Sequence, residues 1–494
     1  MIERPRQRHP AVAAFLSFLF PGLGQAYAGD RRLAALLAVP VLALIVTALV
    51  AFALGGRQAV NSLLSASFLT ALVALDIALM AWRMFAIAQV GFAQPATPGP
   101  AVVASASPMG SNELVSARRW GTILLVVVLL VTTIGMHAWA GLLVGQLNTT
   151  LGNVFSGGGH GAQPSSGPDD GPLNIPEYSW DGSDRINFLL LGIDAGGSRT
   201  EELTDTILVV SIDPVGKTAV MVSVPRDTGF MPLPDRSVYP DGVYPRKINA
   251  LYSDVRDDPG RWCPDLSADA AEACALRTVQ RTVGLYLGIS LQYYATIDLE
   301  GFTHMIDVVG GLTLCLPGRL VDATYNGPGD TWGPARGVEL PQGCSQYDGQ
   351  HALAYARARK GYIEMPDGSR EQLDDFKRAD RQQKVLLELR REFAQLDIFF
   401  ELPDMLEAIG STVATDFPRA KAGDLASLLP LITGPDIERV VLDLPTYVDP
   451  PLQPNVNYIL IPRRDDIRAE MRRLFGADYL EGWYLATRRA GPES

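Results

Sequence analysis

The chain has 494 residues and a formal net charge of −12. That length leaves room for several domains, and the acidic balance argues against general nucleic-acid binding. Hydrophobic residues make up 47% of the chain but are unevenly spread, the first 150 residues being mostly apolar and the charges gathering after residue 184. The asymmetry predicts a membrane region followed by a soluble domain.

A secretory signal peptide would show one apolar core and a cleavage site. This N-terminus has several cores. Residues 33–54, 63–90 and 120–145 each reach the roughly 20 residues that a crossing needs. Residues 11–28 are shorter and are broken by Pro21-Gly22-Leu23-Gly24, which reads as a re-entrant or interfacial hairpin. Arginines set the expected orientation. Arg4, Arg6 and Arg8 precede the hairpin and Arg31 and Arg32 follow it, so both flanks belong in the cytoplasm. Arg83, Arg118 and Arg119 put the next linker there too. Three crossings then leave the large domain outside a cell membrane, and no Lys or Arg occurs between Arg119 and Arg185. The expected division is a membrane region over 1–92, a cytoplasmic linker over 93–119, a membrane helix over 120–145 and a flexible tether over 146–184. Asp76 and His137, inside spanning segments, read as side chains that face neighbouring helices.

Three β-branched-rich runs, 186–193, 206–212 and 218–224, read as buried strands. The link 213–217 is short enough for a hairpin. An antiparallel meander would bring Asp194, Asp205, Arg226 and Asp227 to one edge of the sheet. Three carboxylates and a guanidinium crowded there are costly without a ligand. A divalent cation with an anionic substrate would resolve that cost; the alternative is surface charges that cap strands and turns. Downstream, Lys247 and Asn249 either hydrogen-bond an anion or cap the next helix. A helix over 269–287, a strand over 291–298, a helix over 299–308 and a strand over 311–316 interleave as in an α/β domain.

Arg357 and Arg359 lie two apart. In extended chain they share a face at roughly 7 Å, a span that suits a diphosphate. On a helix they diverge. Asp375, Arg378 and Gln382 are spaced i, i+3, i+7 on a helix predicted from Asp375 to about Phe400, whose N-terminus favours anions. The plainer reading is intrahelical pairing of Asp375 with Arg378. Residues 438–444 and 458–461 read as strands and 463–475 as a helix, so that 416–494 completes the outer domain. Cys263, Cys274, Cys315 and Cys344 all fall in the soluble part, with no CxxC pair to suggest zinc. An even number in an exported domain predicts two disulfides among three connectivities, with Cys263–Cys274 closing a short loop and Cys315–Cys344 as the other pair.

Seven blocks in order resemble the LytR-CpsA-Psr family over roughly residues 186–415: LeuLeuLeuGlyIleAsp, ThrAspThr, SerValProArgAsp, LysIleAsn, ValValGlyGlyLeu, GlyGlnHisAlaLeuAlaTyrAlaArgAlaArg and ArgAlaAspArgGlnGln. The resemblance implies an α–β–α layered domain with a mixed, largely antiparallel sheet, catalytic over 185–415. It implies transfer of a glycopolymer from a polyprenyl-pyrophosphate carrier to a peptidoglycan hydroxyl, forming a phosphodiester. Under it, Asp194 and Asp205 help to hold Mg²⁺. Arg226, Arg357, Arg359, Arg378 and Gln382 bind the phosphates, with Lys247 a further candidate. Asp227 and Asp375 position the arginines or assist the incoming hydroxyl. Two features depart from the family pattern: Leu203 stands where the family often has Arg, and three crossings plus a hairpin replace a single membrane helix. Hydrolysis of the carrier, or non-catalytic binding of carrier lipid by a regulatory membrane protein, are the competing readings.

Overall fold

The structure, a computed structural model, describes residues 9–92, 111–155, 180, 183–194, 202–264, 271–326, 337–393, 398–426, 428, 437–451 and 458–480. The chain divides into two compact units, Met1–Asn148 and Thr149–Ser494.

The first unit holds α1 (Pro10–Leu19), α2 (Leu23–Ala28), α3 (Arg31–Leu63), α4 (Ala66–Gly91) and most of α5 (Ser111–Val154). Three stretches, Arg31–Val50, Ala66–Gly91 and Trp120–Val154, are long and apolar enough to cross a membrane. The α1–α2 pair is a tight helical hairpin. Gly22 sits at φ +99°, and a Cβ at Gly24 would come within 2.0 Å of the Ala13 carbonyl oxygen. Only glycine lets the two helices lie that close. The hairpin rests on α4. Arg83 Nε donates to the Phe18 carbonyl at 2.9 Å and Nη2 to that of Leu19 at 3.2 Å, satisfying carbonyls left open at the end of α1. Gln25, buried, donates to the Ala86 carbonyl at 2.8 Å. Asp76 on α4 lies 2.7 Å from His137 Nδ1 on α5, so these two face each other across a helix contact.

The second unit is built on a six-stranded sheet: β1 (Ile186–Asp194), β2 (Leu203–Asp213), β3 (Thr218–Ser223), β4 (Tyr293–Asp298), β5 (Val413–Thr415) and β6 (Ile437–Val441). The spatial order is β5-β4-β1-β2-β3-β6. The β1–β2–β3 meander and the β4–β5 pair are antiparallel, whereas β4 runs parallel to β1 and β6 parallel to β3. At the β2–β3 turn the Asp213 carboxylate accepts the Val215 and Gly216 amides at 3.0 and 2.7 Å, fixing the hairpin.

The principal helices of this unit are α6 (Leu251–Asp257), α7 (Ala271–Leu287), α8 (Leu299–Val308), α9 (Gly349–Arg357), α10 (Asp375–Phe393), α11 (Ile398–Thr412) and α12 (Arg464–Phe475). Leu189, Leu191, Val209 and Val222 turn to one face of the sheet and pack with Leu251, Val279, Val283 and Met471 of α6, α7 and α12. Phe188, Leu208, Val210 and Met221 turn to the other and pack with Phe417 and with Leu386 and Leu387 of α10. With both faces covered, the strands are continuous apolar runs rather than alternating ones. The result is an α–β–α layered domain with a mixed sheet. A separate cluster joins α8, α9 and α10 to the two-stranded ladder of Leu312–Leu316 and Gly343–Tyr347. Cys315 and Cys344 are partners in that ladder and are disulfide-bonded; Cys263 and Cys274 form the second disulfide.

Two elements differ from expectation. The helix from Asp375 ends at Phe393, and a second one, α11, begins at Ile398. Residues 394–397, between the two helices, lie outside the described residues. The strand expected over 458–461 shrinks to a single bridge of Leu460 with Thr228 and a two-residue pairing of Ile461–Pro462 with Val448–Asp449. Pro462 lacks the N–H that would extend that ladder.

Candidate functional site

The charged residues that the sequence scatters over 170 positions meet at the end of the meander. The β1–β2 register slips there: Gly192 opposes Thr206 but Ile193 opposes Thr204, so Asp205 is the extra residue of a β-bulge. A bulge takes a residue out of the ladder and re-aims its side chain. Asp205 Oδ1 accepts from Arg226 Nη1 at 2.7 Å. Arg226 follows β3, and its Nε lies 3.4 Å from Asp375 Oδ1. Asp375 opens α10, and one turn on, Arg378 Nη2 reaches Asp375 Oδ1 at 3.1 Å and donates to the Asp205 carbonyl at 3.1 Å. Arg359 Nη1 stands 3.9 Å from the same Asp375 oxygen. Beside them Lys247 Nζ donates to Asp227 Oδ1 at 2.7 Å.

The cluster is poorly hydrated, with the Arg378 side chain 6% exposed and that of Arg226 11%. Burial works against the Asp205 anion, but Arg226, Arg378 and Arg357 together outweigh it and hold the carboxyl below its ordinary range. Asp375 goes the other way: burial pushes it up, and the pull of Arg378 and Arg226 does not cancel that. Burial also lowers Arg378, reinforced by the like charge of Arg226 and opposed by Asp375 and Asp205. Arginine remains charged regardless, so this is a site with cations in excess. Asp205, Asp227 and Asp375 face Arg226, Arg378, Lys247, Arg359 and the field of Arg357. Arg226 Nε, Arg378 Nε and Asp375 Oδ1 are buried with no hydrogen-bond partner. Buried guanidinium nitrogens that make no hydrogen bond suit an oxyanion.

The two arginines of the 349–359 block are held by devices that the sequence reading missed. Helix α9 ends at Arg357, and at Ala358 the backbone turns extended, with φ −55° and ψ 132°. Arg357 is therefore the last helical residue, and Arg359 follows beyond the end of the helix. The buried Asp322 accepts the backbone N–H of both Arg359 and Lys360 at 3.0 Å. Arg381, 3% exposed, donates from Nε to the Tyr355 carbonyl at 2.8 Å and from Nη2 to that of Ala358. Gln383, fully buried, donates to Ser223 Oγ at 2.8 Å and to the Val440 carbonyl at 3.2 Å, tying α10 to β3 and β6. Arg381 and Gln383 lie within the quoted ArgAlaAspArgGlnGln block, which was the available signal. Gln382, between them, is partly buried on the same helix. Asp194 ends β1 opposite Leu203; its side chain lies outside the described residues.

Mg²⁺ takes hard oxygen ligands and is commonly held by one or two carboxylates plus phosphate and water. Asp205 belongs to that donor class, whereas Asp375 Oδ1 is already taken up by Arg378 at 3.1 Å and Arg226 at 3.4 Å. Among the described residues no group of three or more His, Cys, Asp or Glu converges as a metal cage. The residues thus fit a cation that arrives with a phosphate ligand. A cavity of about 370 Å³ opens between β1, β4 and the end of α11, but Glu202, Glu272 and Asp298 in its lining make it a poor berth for a hydrocarbon chain.

Comparison with known proteins places the chain. The LytR_cpsA_psr family model matches residues 164–449. The polyisoprenyl-teichoic acid–peptidoglycan teichoic acid transferase TagU of Oceanobacillus iheyensis is 30% identical over 241 residues, which are 48% of this chain and 61% of that protein. The cell wall biosynthesis protein LcpA of Corynebacterium glutamicum is 28% identical over 306 residues, 59% of this chain and 52% of that protein. The chain thus spans between half and two thirds of the length of these relatives. The crystal structure of Bacillus subtilis TagV is 23% identical and covers 59% of this chain and 97% of that one, with a TM-score of 0.41. The assignment rests on the family match, which takes in more than half of the sequence and every charged residue of the site. The chain belongs to the LytR_cpsA_psr family.

Proposed function

We propose that this protein is a membrane-anchored phosphotransferase. It moves a glycopolymer from a polyprenyl-pyrophosphate carrier to a peptidoglycan hydroxyl, leaving a phosphodiester. The observation that carries the reading is the cation-rich cluster in which the buried Arg378 and the partly buried Arg226 share Asp375. Phosphoryl transfer asks a protein mainly for charge neutralisation and positioning. Arg226, Arg357, Arg359 and Arg378 grip the two phosphates, and Asp205 and Asp375 keep the guanidiniums aimed. Asp227, held by Lys247, accepts the proton of the incoming hydroxyl as its oxygen bonds to phosphorus and polyprenyl phosphate departs. Mg²⁺, held by Asp194 and Asp205 with phosphate oxygens, would add neutralising charge. The domain works outside the cell membrane beside peptidoglycan. The α1–α2 hairpin, clasped by Arg83 instead of crossing alone, supports three crossings and hence that orientation.

The test uses the full chain in vesicles, with a polyprenyl-pyrophosphate-linked glycopolymer and soluble peptidoglycan. The expected result is Mg²⁺-dependent product that falls by about a hundredfold in Arg226→Ala. Free phosphate without acceptor product would replace the reading with a hydrolase. Carrier binding with no turnover would replace it with a regulatory binding protein.

A further inference from the structure

The family match stops at residue 449, yet the chain returns to the site after it. Leu460 N–H donates to the Asp227 carbonyl at 2.9 Å, and Gly229 N–H donates to the Leu460 carbonyl at 3.0 Å. Leu460 and Thr228 form a parallel bridge. A Cβ at Gly229 would stand 2.1 Å from Ile459 Cγ2, so this loop is shaped to receive the returning segment. The residue delivered by these contacts is Tyr458. Its ring lies 5.7 Å from Lys247 Nζ, the ammonium that holds Asp227. Burial raises its hydroxyl pKa, and Asp227 and Asp375 add to that, so the phenol lies within the field of the site.

Tyr458 is nevertheless 41% exposed. Among the described residues of the second unit only Val215, Phe230 and Tyr458 are exposed large apolar side chains, and Phe230 and Tyr458 lie on the two segments of this bridge. Phe230 holds φ +55°, a conformation that costs a bulky residue energy and recurs at binding sites. A part-exposed aromatic ring with an ammonium over it, itself paired with a carboxylate, has a defined ligand chemistry. A pyranose presents a face of C–H groups to the negative face of the ring while its hydroxyls reach the flanking charges. A phosphate is repelled by that face, and a prenyl chain would leave Asp227 and Lys247 unused.

We propose that Tyr458 is the stacking surface for the acceptor sugar, setting the glycan beside Asp227 so that its hydroxyl enters the site in line. This rests on the transferase reading above and adds to it a specificity residue from outside the family match. The acceptor is favoured over the donor glycan because Lys247, which the ring borders, is paired with Asp227, the group that takes the acceptor's proton in the transferase reading.

The experiment measures transfer to soluble peptidoglycan fragments by the full chain in vesicles, comparing wild type with Tyr458→Ala and Tyr458→Phe. Tyr458→Ala should raise the acceptor KM about tenfold with kcat and carrier-lipid binding little changed. Tyr458→Phe, which keeps the ring, should restore the wild-type KM. An unchanged KM in Tyr458→Ala, a change confined to carrier binding, or failure of Phe to restore would each overturn the proposal. No transfer by the wild type would instead strike the transferase reading itself.

Discussion

Asp375 is the shared counter-charge of the cluster, and Asp375→Asn is its most direct test. Its Oδ1 stands 3.1 Å from Arg378, 3.4 Å from Arg226 and 3.9 Å from Arg359. Without that charge the buried Arg378 and the partly buried Arg226 repel at close range. Breaking a buried pair costs about 3–5 kcal/mol. The lower figure applies, because Arg226 keeps Asp205 and because burial already taxes the Asp375 anion. About 3 kcal/mol corresponds to a fall in Tm of about 4 °C for a unit of this size. Inorganic pyrophosphate should reverse much of it, since the anion supplies the missing charge. At a hundredfold over Kd, binding returns about 2.7 kcal/mol. Calorimetry of the detergent-solubilised chain should therefore show a low Tm without ligand and a larger pyrophosphate-induced rise in the variant than in wild type. An unchanged Tm together with equal rises in both proteins would refute the shared-counter-charge argument.

Two further outcomes follow from buried groups elsewhere in the domain. Asp416 accepts the Tyr294 amide at 2.8 Å, and burial raises its carboxyl to about 7 despite that bond. Between its ordinary value of about 3.9 and about 7 the folded state keeps a proton that the unfolded chain releases, so stability falls as pH rises through that window. Asp416→Asn retains an acceptor for Tyr294 and should match wild type near pH 4, then exceed it by about 2–4 kcal/mol at pH 8 in denaturant melts; equal curves at both pH values would exclude burial as the cause. Arg381→Lys keeps the charge but cannot serve both carbonyls in the same geometry, so pyrophosphate affinity by calorimetric titration should fall about tenfold. If Arg381 acts by holding Arg357, Arg381→Lys should cost little more in an Arg357→Ala background, and full additivity would contradict that.

The parts of this fold that were legible in the sequence are those governed by local pattern. The apolar runs of β1 to β3, the short link at 213–217 and the cysteines of the second unit all speak through composition and spacing. The edge to which Asp205 and Arg226 come follows from meander topology alone, so their meeting could be anticipated. What stayed hidden depends on distant partners. Arg381 is nearly inaccessible, and arginine gives no sign of that in sequence because it is ordinarily exposed. Its partners are main-chain carbonyls of α9, which leave no trace in residue identity. Asp322 was invisible for the same reason, since it serves the amides of Arg359 and Lys360. The bulge at Asp205 has no glycine to mark it, and the return of residues 458–460 to the Asp227 loop is a long-range closure with a weak local pattern.

The double-sided burial of the sheet carries a consequence for how this protein can fail. Where one face of a strand meets water, a one-residue slip drives apolar groups into solvent and is punished at once. Here both sides of β2 lie against hydrocarbon, so polarity alone does not police alignment. That duty falls to the Asp213 turn and to the extra residue at 205. Shortening the turn by one residue would slide Asp205 about 3.3 Å along the strand, breaking its 2.7 Å grip on Arg226 while greasy side chains still found greasy neighbours. Such a lesion would yield a soluble, well-packed and inert domain, which a screen for misfolding would pass as healthy.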